Sequence, residues 1–280
     1  VDDNIIDGTI TSTITAEIVD VISDDNFDAV ANQTVSVTTT DNDTAGFTVT
    51  QSGGSTSVSE ASTTDTFTVV LNAQPASNVV LLVSSSDTGE ATVNTPFTFT
   101  PANWNSAQTV TVTGVDDNII DGTITSTITI AVDDANSDND FDAVADQTVS
   151  TTTTDNDTAG FTVTQSGGST AVAETGTTDT FTVVLNAQPA SNVVISISSG
   201  DTGEAAVSGS LTFTSVNWNS AQTVTVTGVD DVTVDGTQTS TVTVSIIDAI
   251  SDNDFDAVAD QTVSVSTADN DVAGFTVTQS

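Results

Sequence analysis

Residues 67–80 read FTVVLNAQPASNVV, and residues 181–194 repeat the same stretch letter for letter. Phe67, Val69 and Leu71 alternate with residues that point to the other face of an extended chain, which is typical of a strand with one side in a core. The Asn-Ala-Gln-Pro tract that follows contains turn-forming residues and separates this run from a second apolar run. The stretch therefore predicts two strands of a β-protein, joined by a turn.

A long repeat extends this pattern over the whole chain. VDDNIIDG begins at Val1 and at Val115, and VDDVTVDG begins at Val229, so successive copies start 114 residues apart. A period of this length suits one independent domain per repeat better than one turn of a solenoid. We predict the C-terminal part of a preceding repeat at 1–45, complete repeats at 46–159 and 160–273, and the first strand of a following repeat at 274–280.

Turn signals divide the first complete repeat into short strand-like runs, and no segment is typical of a helix of useful length. The pattern predicts an all-β fold of tandem, immunoglobulin-like antiparallel β-sandwiches with seven or eight strands each. Almost no linker separates the repeats, which favours a stiff array. The predicted strands are Phe47–Gln51, Thr56–Ser59, Thr66–Leu71, Val79–Ser84, Ala91–Val93, Phe97–Thr100, Thr109–Gly114, Thr123–Val132 and Gln147–Thr154.

The composition is acidic throughout. The 280 residues include 39 Asp and Glu but no Lys, Arg, His or Cys. Without basic side chains the chain cannot bind nucleic-acid phosphates, and an anionic membrane surface would repel it. Acidic chains can be disordered, but regular apolar alternation at 36% hydrophobic content favours folded strands. The carboxylates must therefore be balanced by solvent, by backbone N–H groups or by bound cations.

The same composition argues against catalysis. Because His, Lys, Cys, Tyr and Arg are all missing, Ser–His and Cys–His nucleophile systems cannot be built. A carboxylate pair of the glycosidase type is still chemically possible. Its residues, however, recur in every repeat without an evident substrate cleft, so we predict that the chain is not an enzyme.

Three motifs carry a family resemblance. They are LTFTSVNWNSAQTVTVTGVDDVTVDG at 211–236, the closing DND triplet of each repeat, and a Glu that ends SVSE at Glu60 and AVAE at Glu174. Together they resemble bacterial extracellular repeats related to the Calx-beta domain, and the resemblance spans the whole repeat. It implies a seven-stranded, immunoglobulin-like sandwich that binds Ca2+ in loops at one end.

The resemblance also implies a set of calcium ligands. The number of ions stays open, because Asn156 and Asn270 stand where the family commonly has an acidic residue. The implied ligands are Glu60, Asp87, Asp116, Asp117, Asp121, Asp155 and Asp157 in the first complete repeat; Glu174, Asp201, Asp230, Asp231, Asp235, Asp269 and Asp271 in the second; and Asp2, Asp3, Asp7, Asp41 and Asp43 in the preceding one.

The distribution of charge supports cation binding independently. The 15 acidic residues of 46–159 are concentrated in loops, where mutual repulsion is strongest, and Ca2+ takes six to eight oxygen ligands from such clusters. The alternative is a solvated, halophilic surface. A second acidic segment alternates like a calcium loop but lacks the Gly and the bidentate Glu of an EF-hand, so an independent ion there stays open. Its candidates are Asp134, Asp138, Asp140 and Asp142, with Asp248, Asp252, Asp254 and Asp256 in the next repeat.

Strand direction predicts where these loops lie. In an up-and-down sandwich, the loops carrying Glu60, Asp87 and Asp116–Asp121 share one end with the DND triplet, and the second acidic segment lies at the other end. In a tandem array we therefore expect calcium at or beside each junction. We expect Trp104 and Trp218, which precede strands in turn-like sequences, to have a core-edge or loop-packing role rather than to stack on sugars.

These observations lead to two functional hypotheses. The first is a structural repeat region of a secreted or cell-surface bacterial protein, a calcium-rigidified extracellular filament or stalk. The alternative is a spacer in a large calcium-dependent adhesin whose ligand-binding domain lies outside this segment. In both, the expected partners are neighbouring repeats of the same chain. In a filament they would include identical chains.

Overall fold

The computed structural model describes residues 3–279, and throughout this range the chain is all-β, as the alternation predicts. Asp2, one of the expected ligands, lies outside the described residues. Within 3–279 the helical structure consists of eight three-residue 3-10 turns. They are Asp20–Ile22, Asp25–Phe27, Ser52–Gly54, Asp134–Asn136, Asn139–Phe141, Ser166–Gly168, Asp248–Ile250 and Asn253–Phe255.

Strands are numbered in chain order. The first eleven are β1 Ile10–Ala16, β2 Gln33–Thr39, β3 Phe47–Gln51, β4 Thr56–Ser59, β5 Thr64–Leu71, β6 Val79–Ser85, β7 Ala91–Val93, β8 Phe97–Phe99, β9 Gln108–Gly114, β10 Ile124–Val132 and β11 Gln147–Thr154. The others are β12 Phe161–Gln165, β13 Thr170–Ala173, β14 Thr178–Leu185, β15 Val193–Ser199, β16 Ala205–Val207, β17 Leu211–Phe213, β18 Gln222–Gly228, β19 Gln238–Ile246 and β20 Gln261–Ala268.

The chain divides into two compact units. The first holds the residues up to Asp116 together with Thr123–Thr154, and the second holds Asp117–Gly122 together with Asp155 onward. This division assigns the Asp117–Gly122 loop to the second unit, although the repeat pattern counts it with the first complete repeat. The repeat boundaries at 46 and 160 therefore stay predictions.

Each unit contains one two-layered sandwich. In the first unit the sheets have the orders β3-β5-β9-β7 and β4-β11-β10-β6-β8, and in the second β12-β14-β18-β16 and β13-β20-β19-β15-β17. In the first sandwich, the opening strand is split at Gly53 into β3 and β4, which belong to different sheets. Gly53 has a φ of 64°, which glycine adopts without steric cost. With the split strand counted once, each sandwich has eight strands.

The predicted strands agree with the observed ones to within two residues at each end. The segment 274–279 differs, because it forms no strand and Phe275 is 92% exposed. In the first sandwich the equivalent strand β3 pairs with β5 along its whole length. No strand in the described part of the chain offers 274–279 such a partner.

The alternating face predicted from 67–80 is the core. Phe67, Val69 and Leu71 are buried in the first sandwich, where each such side chain contributes about 1.5–3 kcal/mol of hydrophobic stabilisation. Trp104 and Trp218 are partly buried and pack against the cores of their own sandwiches. The core-edge role expected for the two tryptophans is therefore confirmed.

The β1–β2 pair has the same sequence pattern but a different environment. Ile14 and Val35 face each other across the pair and are 59% and 62% exposed, whereas the equivalent pair Ile128 and Val149 is buried. The described residues place no second sheet over β1 and β2. Burial of this face thus depends on the rest of a sandwich, not on the strand sequence.

Candidate metal centre

Strand direction gathers the acidic loops of the second sandwich at one end. β13 runs parallel to β20, and β15 has the same direction because both β15 and β20 are antiparallel to β19. Their carboxyl ends therefore lie together. Glu174, Asp201 and Asp269 follow these three strands in the sequence, so the three acidic residues share one end of the sandwich.

The β12-β14-β18-β16 sheet contributes a loop to the same end of the sandwich through close backbone packing. Gly228 ends β18, its N–H donates to the Thr177 carbonyl at 3.0 Å, and a Cβ at this position would collide with the Ala173 carbonyl. The next N–H, of Val229, donates to the Glu204 carbonyl at 2.9 Å. Glycine at 228 thus permits the loop that carries Asp230–Asp235 to lie against Glu174 and Glu204.

The carboxylates of this end form two groups of three. One oxygen each from Glu174, Glu204 and Asp235 lie within 4.8 Å of one another, and so do oxygens of Glu174, Asp269 and Asp271. Two oxygens that bind one Ca2+ at about 2.4 Å can be at most about 4.8 Å apart, so each group satisfies this limit. Glu174 is common to both groups.

Asp269 organises the loop through backbone hydrogen bonds. Its Oδ2 accepts from the N–H groups of Gly236 at 2.7 Å and Asp235 at 3.1 Å, and its Oδ1 accepts from Asp271 N–H at 2.6 Å. The Gly236 and Asp271 bonds, together with that from Asp235, outweigh desolvation and hold the pKa of Asp269 below its usual value. This carboxylate is consequently a stable anion that fixes its neighbours.

Glu174 has the opposite tendency. Its Oε2 accepts from Asn270 N–H at 3.1 Å, a bond that lowers its pKa, but burial and the charges of Asp269, Asp231 and Asp235 outweigh the bond. The pKa of Glu174 therefore lies above its ordinary value. Its side chain is only 1% exposed, so water does little to relieve the repulsion from the surrounding carboxylates.

Two carboxylate oxygens at this end have no hydrogen-bond partner among the described residues, although they are buried. They are Oε2 of Glu204 and Oδ2 of Asp271. Burial, with the charges of Asp235 and Glu174 among others, raises the pKa of Glu204, and burial with the charge of Asp269 and other carboxylates raises that of Asp271. A buried anion without a donor is costly, and a cation is the group that would compensate it.

The donor chemistry identifies the class of cation. With no His or Cys in the chain, every side-chain ligand is an oxygen, which suits a hard ion and not the nitrogen and sulfur preference of zinc. A cluster of carboxylates on several loops matches the irregular, oxygen-rich coordination of calcium better than the strict octahedron of magnesium, which keeps most of its waters. The residues present fit a calcium ion.

The expected ligands do not all take part equally. Glu174, Asp235, Asp269 and Asp271 belong to the two groups, whereas the described carboxylates of Asp201, Asp230 and Asp231 belong to neither. Asp201 Oδ1 accepts from Gly203 N–H at 3.0 Å, Asp231 Oδ1 from Thr233 N–H at 2.6 Å, and Asp230 Oδ1 from Asn270 Nδ2 at 2.8 Å. These three shape the loops around the groups.

Glu204 is a candidate ligand that sequence reasoning missed. It stands three residues after Asp201 in the stretch Asp-Thr-Gly-Glu, immediately before the three-residue strand β16, and Glu90 has the same place in the first complete repeat. The repetition of this stretch in both repeats, next to an expected ligand, was the available signal. Its burial at 7% exposure could be learned only from the packed fold.

The corresponding residues of the first complete repeat are divided between the two units. Glu60, Asp87, Glu90 and Asp116 belong to the first unit, and Asp117, Asp121, Asp155 and Asp157 to the second. Within the second unit, Asp155 Oδ2 accepts from the N–H groups of Asp121 and Gly122 at 3.1 and 3.0 Å, as Asp269 does one repeat later.

The preceding repeat shows part of the same arrangement. Asp3, Asp7, Asp41 and Asp43 line a cavity of about 170 Å³. Asp41 Oδ2 accepts from Gly8 N–H at 2.8 Å and from Asp7 N–H at 3.1 Å. The described lining of this cavity contains no glutamate.

The second acidic segment contains structural aspartates. Asp138 Oδ2 accepts from the N–H and the hydroxyl of Ser77, and its Oδ1 caps the 3-10 turn Asn139–Phe141 through Asp140 N–H. Burial raises the pKa of Asp138, but these bonds outweigh it and hold the pKa below its ordinary value. Asp252 repeats the contacts with Ser191 and Asp254.

The other candidates of this segment belong to none of the described three-carboxylate groups. They are Asp134, Asp140, Asp142, Asp248, Asp254 and Asp256. An independent ion here stays a prediction.

Several solved structures are similar to the chain. CBD12 from CALX1.2 is 11% identical with a TM-score of 0.32, and the similarity covers 78% of this chain and 99% of that one. The calcium binding domain CBD12 of CALX1.1 is 13% identical with a TM-score of 0.31, over 71% and 80%. Domains 4 and 5 of the S-layer protein SbsC are 14% identical with a TM-score of 0.32, over 79% and 97%.

Calx CBD domains are thus among the structural neighbours of the chain. No family model matches the sequence, and no curated protein matches it. In the described range, no helix has the length and apolar character needed to cross a membrane.

Proposed function

We propose that this chain is a structural repeat segment of an extracellular or cell-surface protein, in which bound calcium rigidifies each sandwich at the end where the chain leaves it. The observation that carries the proposal is the pair of carboxylate groups that share the buried Glu174. Five acidic side chains from four loops repel one another there, and a divalent cation converts that repulsion into a cross-link.

The pair of groups supports two ion positions per complete site, with Glu174 bridging them. Glu204 and Asp235 would supply the first position, and Asp269 and Asp271 the second. The buried oxygens of Glu204 and Asp271 that lack hydrogen-bond donors would each gain a partner. Glu204 and Asp271 belong to different groups, so each position has one such oxygen.

The proposed stiffening follows from the order of the ligands along the chain. Asp269 and Asp271 come directly after β20, the last strand of the sandwich, and Ala273 opens the next copy of the AGFTVTQS motif. An ion held jointly by these residues and by Glu174 would fix the departing chain to the end of β13. Without the ion, three unscreened carboxylates would favour loosening of the same segment.

The strand edges bear on the choice between a stalk and a laterally assembled filament. The edge strands of the two complete sandwiches are β3, β4, β7 and β8 in the first unit, and β12, β13, β16 and β17 in the second. All have between three and five residues. Short edges resist pairing with other chains, which favours the alternative of a spacer in a large adhesin over a filament built by strand addition.

Calorimetric titration of the purified chain with calcium tests the proposal. We expect binding that Glu174→Gln weakens at both positions of the second sandwich, whereas Glu204→Gln removes one position. Asp260→Asn is the matched control, because it removes one charge from an exposed residue outside both groups. Equal effects of all three variants would mean that calcium is held only by overall charge, and the proposal would fail.

A further inference from the structure

The loop Asp117–Gly122 is bound to the second sandwich by backbone contacts. The Gln188 N–H donates to the Asn118 carbonyl at 2.7 Å, and Ile119 forms an isolated parallel bridge with Gln188. By sequence this loop falls in the first complete repeat, but it is part of the second unit. The loop is therefore anchored at two adjacent residues to the turn that joins β14 and β15.

An isoleucine of the same loop reaches the core. Ile120 is partly buried and packs against the hydrophobic core of the second sandwich, as Ala159 and Val258 do. These three side chains line one cavity of about 360 Å³, together with Asp157, Thr158, Asp254 and Ala257. We call the sandwich surface formed by Gln188, Ala159 and Val258 the socket.

The first unit contains the same contacts one repeat earlier. The Gln74 N–H donates to the Asn4 carbonyl at 2.6 Å, and Ile5 forms a bridge with Gln74. Ile6 packs against the first core, as Ala45 and Val144 do. Two occurrences at the same repeat positions argue for a built interaction rather than a chance contact.

We propose that the Asn-Ile-Ile segment of each DDNIID loop is a docking plug for the socket of the sandwich that follows it in the chain. The partner is chemically defined: a turn backbone that pairs with the plug, beside an apolar recess that accepts a β-branched side chain. The plug contributes to the stability of the following sandwich, although the repeat pattern assigns it to the preceding one.

The third loop supplies an internal contrast. Val234 stands at the position of Ile120, 114 residues later, and is 54% exposed, while Val232 is 91% exposed. No socket follows this loop in the described part of the chain. Val234 therefore shows the exposure of this position where the described residues provide no socket.

The two tryptophans allow each sandwich to be followed separately. The chain has no Tyr and only two Trp, one packed against each core, so Trp104→Phe leaves Trp218 as the reporter of the second sandwich and Trp218→Phe leaves Trp104 as the reporter of the first. All measurements are made in chelator, so they do not depend on calcium. A failure of the proposed calcium function would therefore leave this test intact.

The test is thermal unfolding of Ile120→Ser in both backgrounds. We expect the midpoint reported by Trp218 to fall by roughly 4–8 °C and the midpoint reported by Trp104 to stay unchanged. Ile120→Val, which keeps a β-branched apolar side chain in the plug, should lower the Trp218 midpoint by a smaller amount. Ile6→Ser should do the reverse of Ile120→Ser, lowering the Trp104 midpoint and sparing the Trp218 midpoint.

Val234→Ser is the matched control, because it removes a β-branched side chain at the same loop position where residues 3–279 provide no socket. It should leave both midpoints unchanged. The proposal is overturned if Ile120→Ser lowers the Trp104 midpoint instead, or if Ile120→Ser and Val234→Ser have equal effects on Trp218.

Discussion

Replacing Thr151 by Val should stabilise the first sandwich. Thr151 lies in β11, its side chain is fully buried, and its hydroxyl has no hydrogen-bond partner among the described residues. The residue opposite it, Ser126, also has a buried hydroxyl without a partner. At the same position of the second sandwich the chain has Val265, which is equally buried. The second repeat therefore already carries the substitution.

The size of the effect follows from the buried hydroxyl. An unsatisfied buried polar group costs about 1–3 kcal/mol, and Val has nearly the same shape as Thr, so removal of the hydroxyl leaves little new cavity. We expect the free energy of unfolding to rise by about 1–2 kcal/mol.

Urea unfolding followed by Trp104 fluorescence, in the Trp218→Phe background with chelator, measures this change. The midpoint should move to higher urea while the dependence on urea stays the same. The reverse variant, Val265→Thr, should lower the midpoint that Trp218 reports. A fall in stability for Thr151→Val would refute the reasoning, since it would mean that the hydroxyl is bonded in the folded protein.

Three further predictions concern the loops. Ser62 adopts a φ of 58° where the second repeat has Gly176, so Ser62→Gly should stabilise the first sandwich by about 1 kcal/mol in the same urea assay; an unchanged midpoint would contradict the argued strain. Glu204→Gln should raise the thermal midpoint in chelator, because it removes a buried charge, yet reduce the gain on adding calcium. Asp260→Asn should have neither effect. A lower thermal midpoint of Glu204→Gln in chelator would contradict the repulsion between the clustered carboxylates. In chelator, the raised pKa of Glu174, Glu204 and Asp271 contributes stability that is lost as the pH rises through the folded-state pKa of these groups. The lowered pKa of Asp138 and Asp269 contributes stability that is lost as the pH falls. The thermal midpoint should therefore peak at about pH 4. A midpoint that falls steadily from neutral pH downward would contradict this balance.

The sandwich could be predicted from local pattern because one face of each strand is apolar and turns separate the strands. Phe67, Val69 and Leu71 are in the core as their alternation indicates. The same pattern does not ensure burial in β1 and β2, where Ile14 and Val35 have the pattern of Ile128 and Val149 but are exposed. Alternation reports a face that can be buried, and burial itself needs a second sheet.

The candidate site was only partly accessible from the sequence. The motif positions pointed to Glu174, Asp235, Asp269 and Asp271, which the fold brings together. Glu204 was missed because its importance comes from its burial next to Glu174, a tertiary property.

The position of the Asp117–Gly122 loop was also beyond pattern reading. A repeat boundary drawn from sequence assigns the loop to the first complete repeat, whereas the side chain of Ile120 packs on the second core. Which sandwich a loop joins is decided by packing, and periodicity carries no information on it.

The most direct test of the central claim is the thermal midpoint of the second sandwich, reported by Trp218 in the Trp104→Phe background, with saturating calcium and with chelator. Binding to the folded state alone stabilises it by about 2.7 kcal/mol at a hundredfold excess over the dissociation constant. We predict a clear rise of the midpoint with calcium that Glu174→Gln reduces and Asp260→Asn preserves. A midpoint that is the same in calcium and in chelator would contradict a calcium-rigidified repeat.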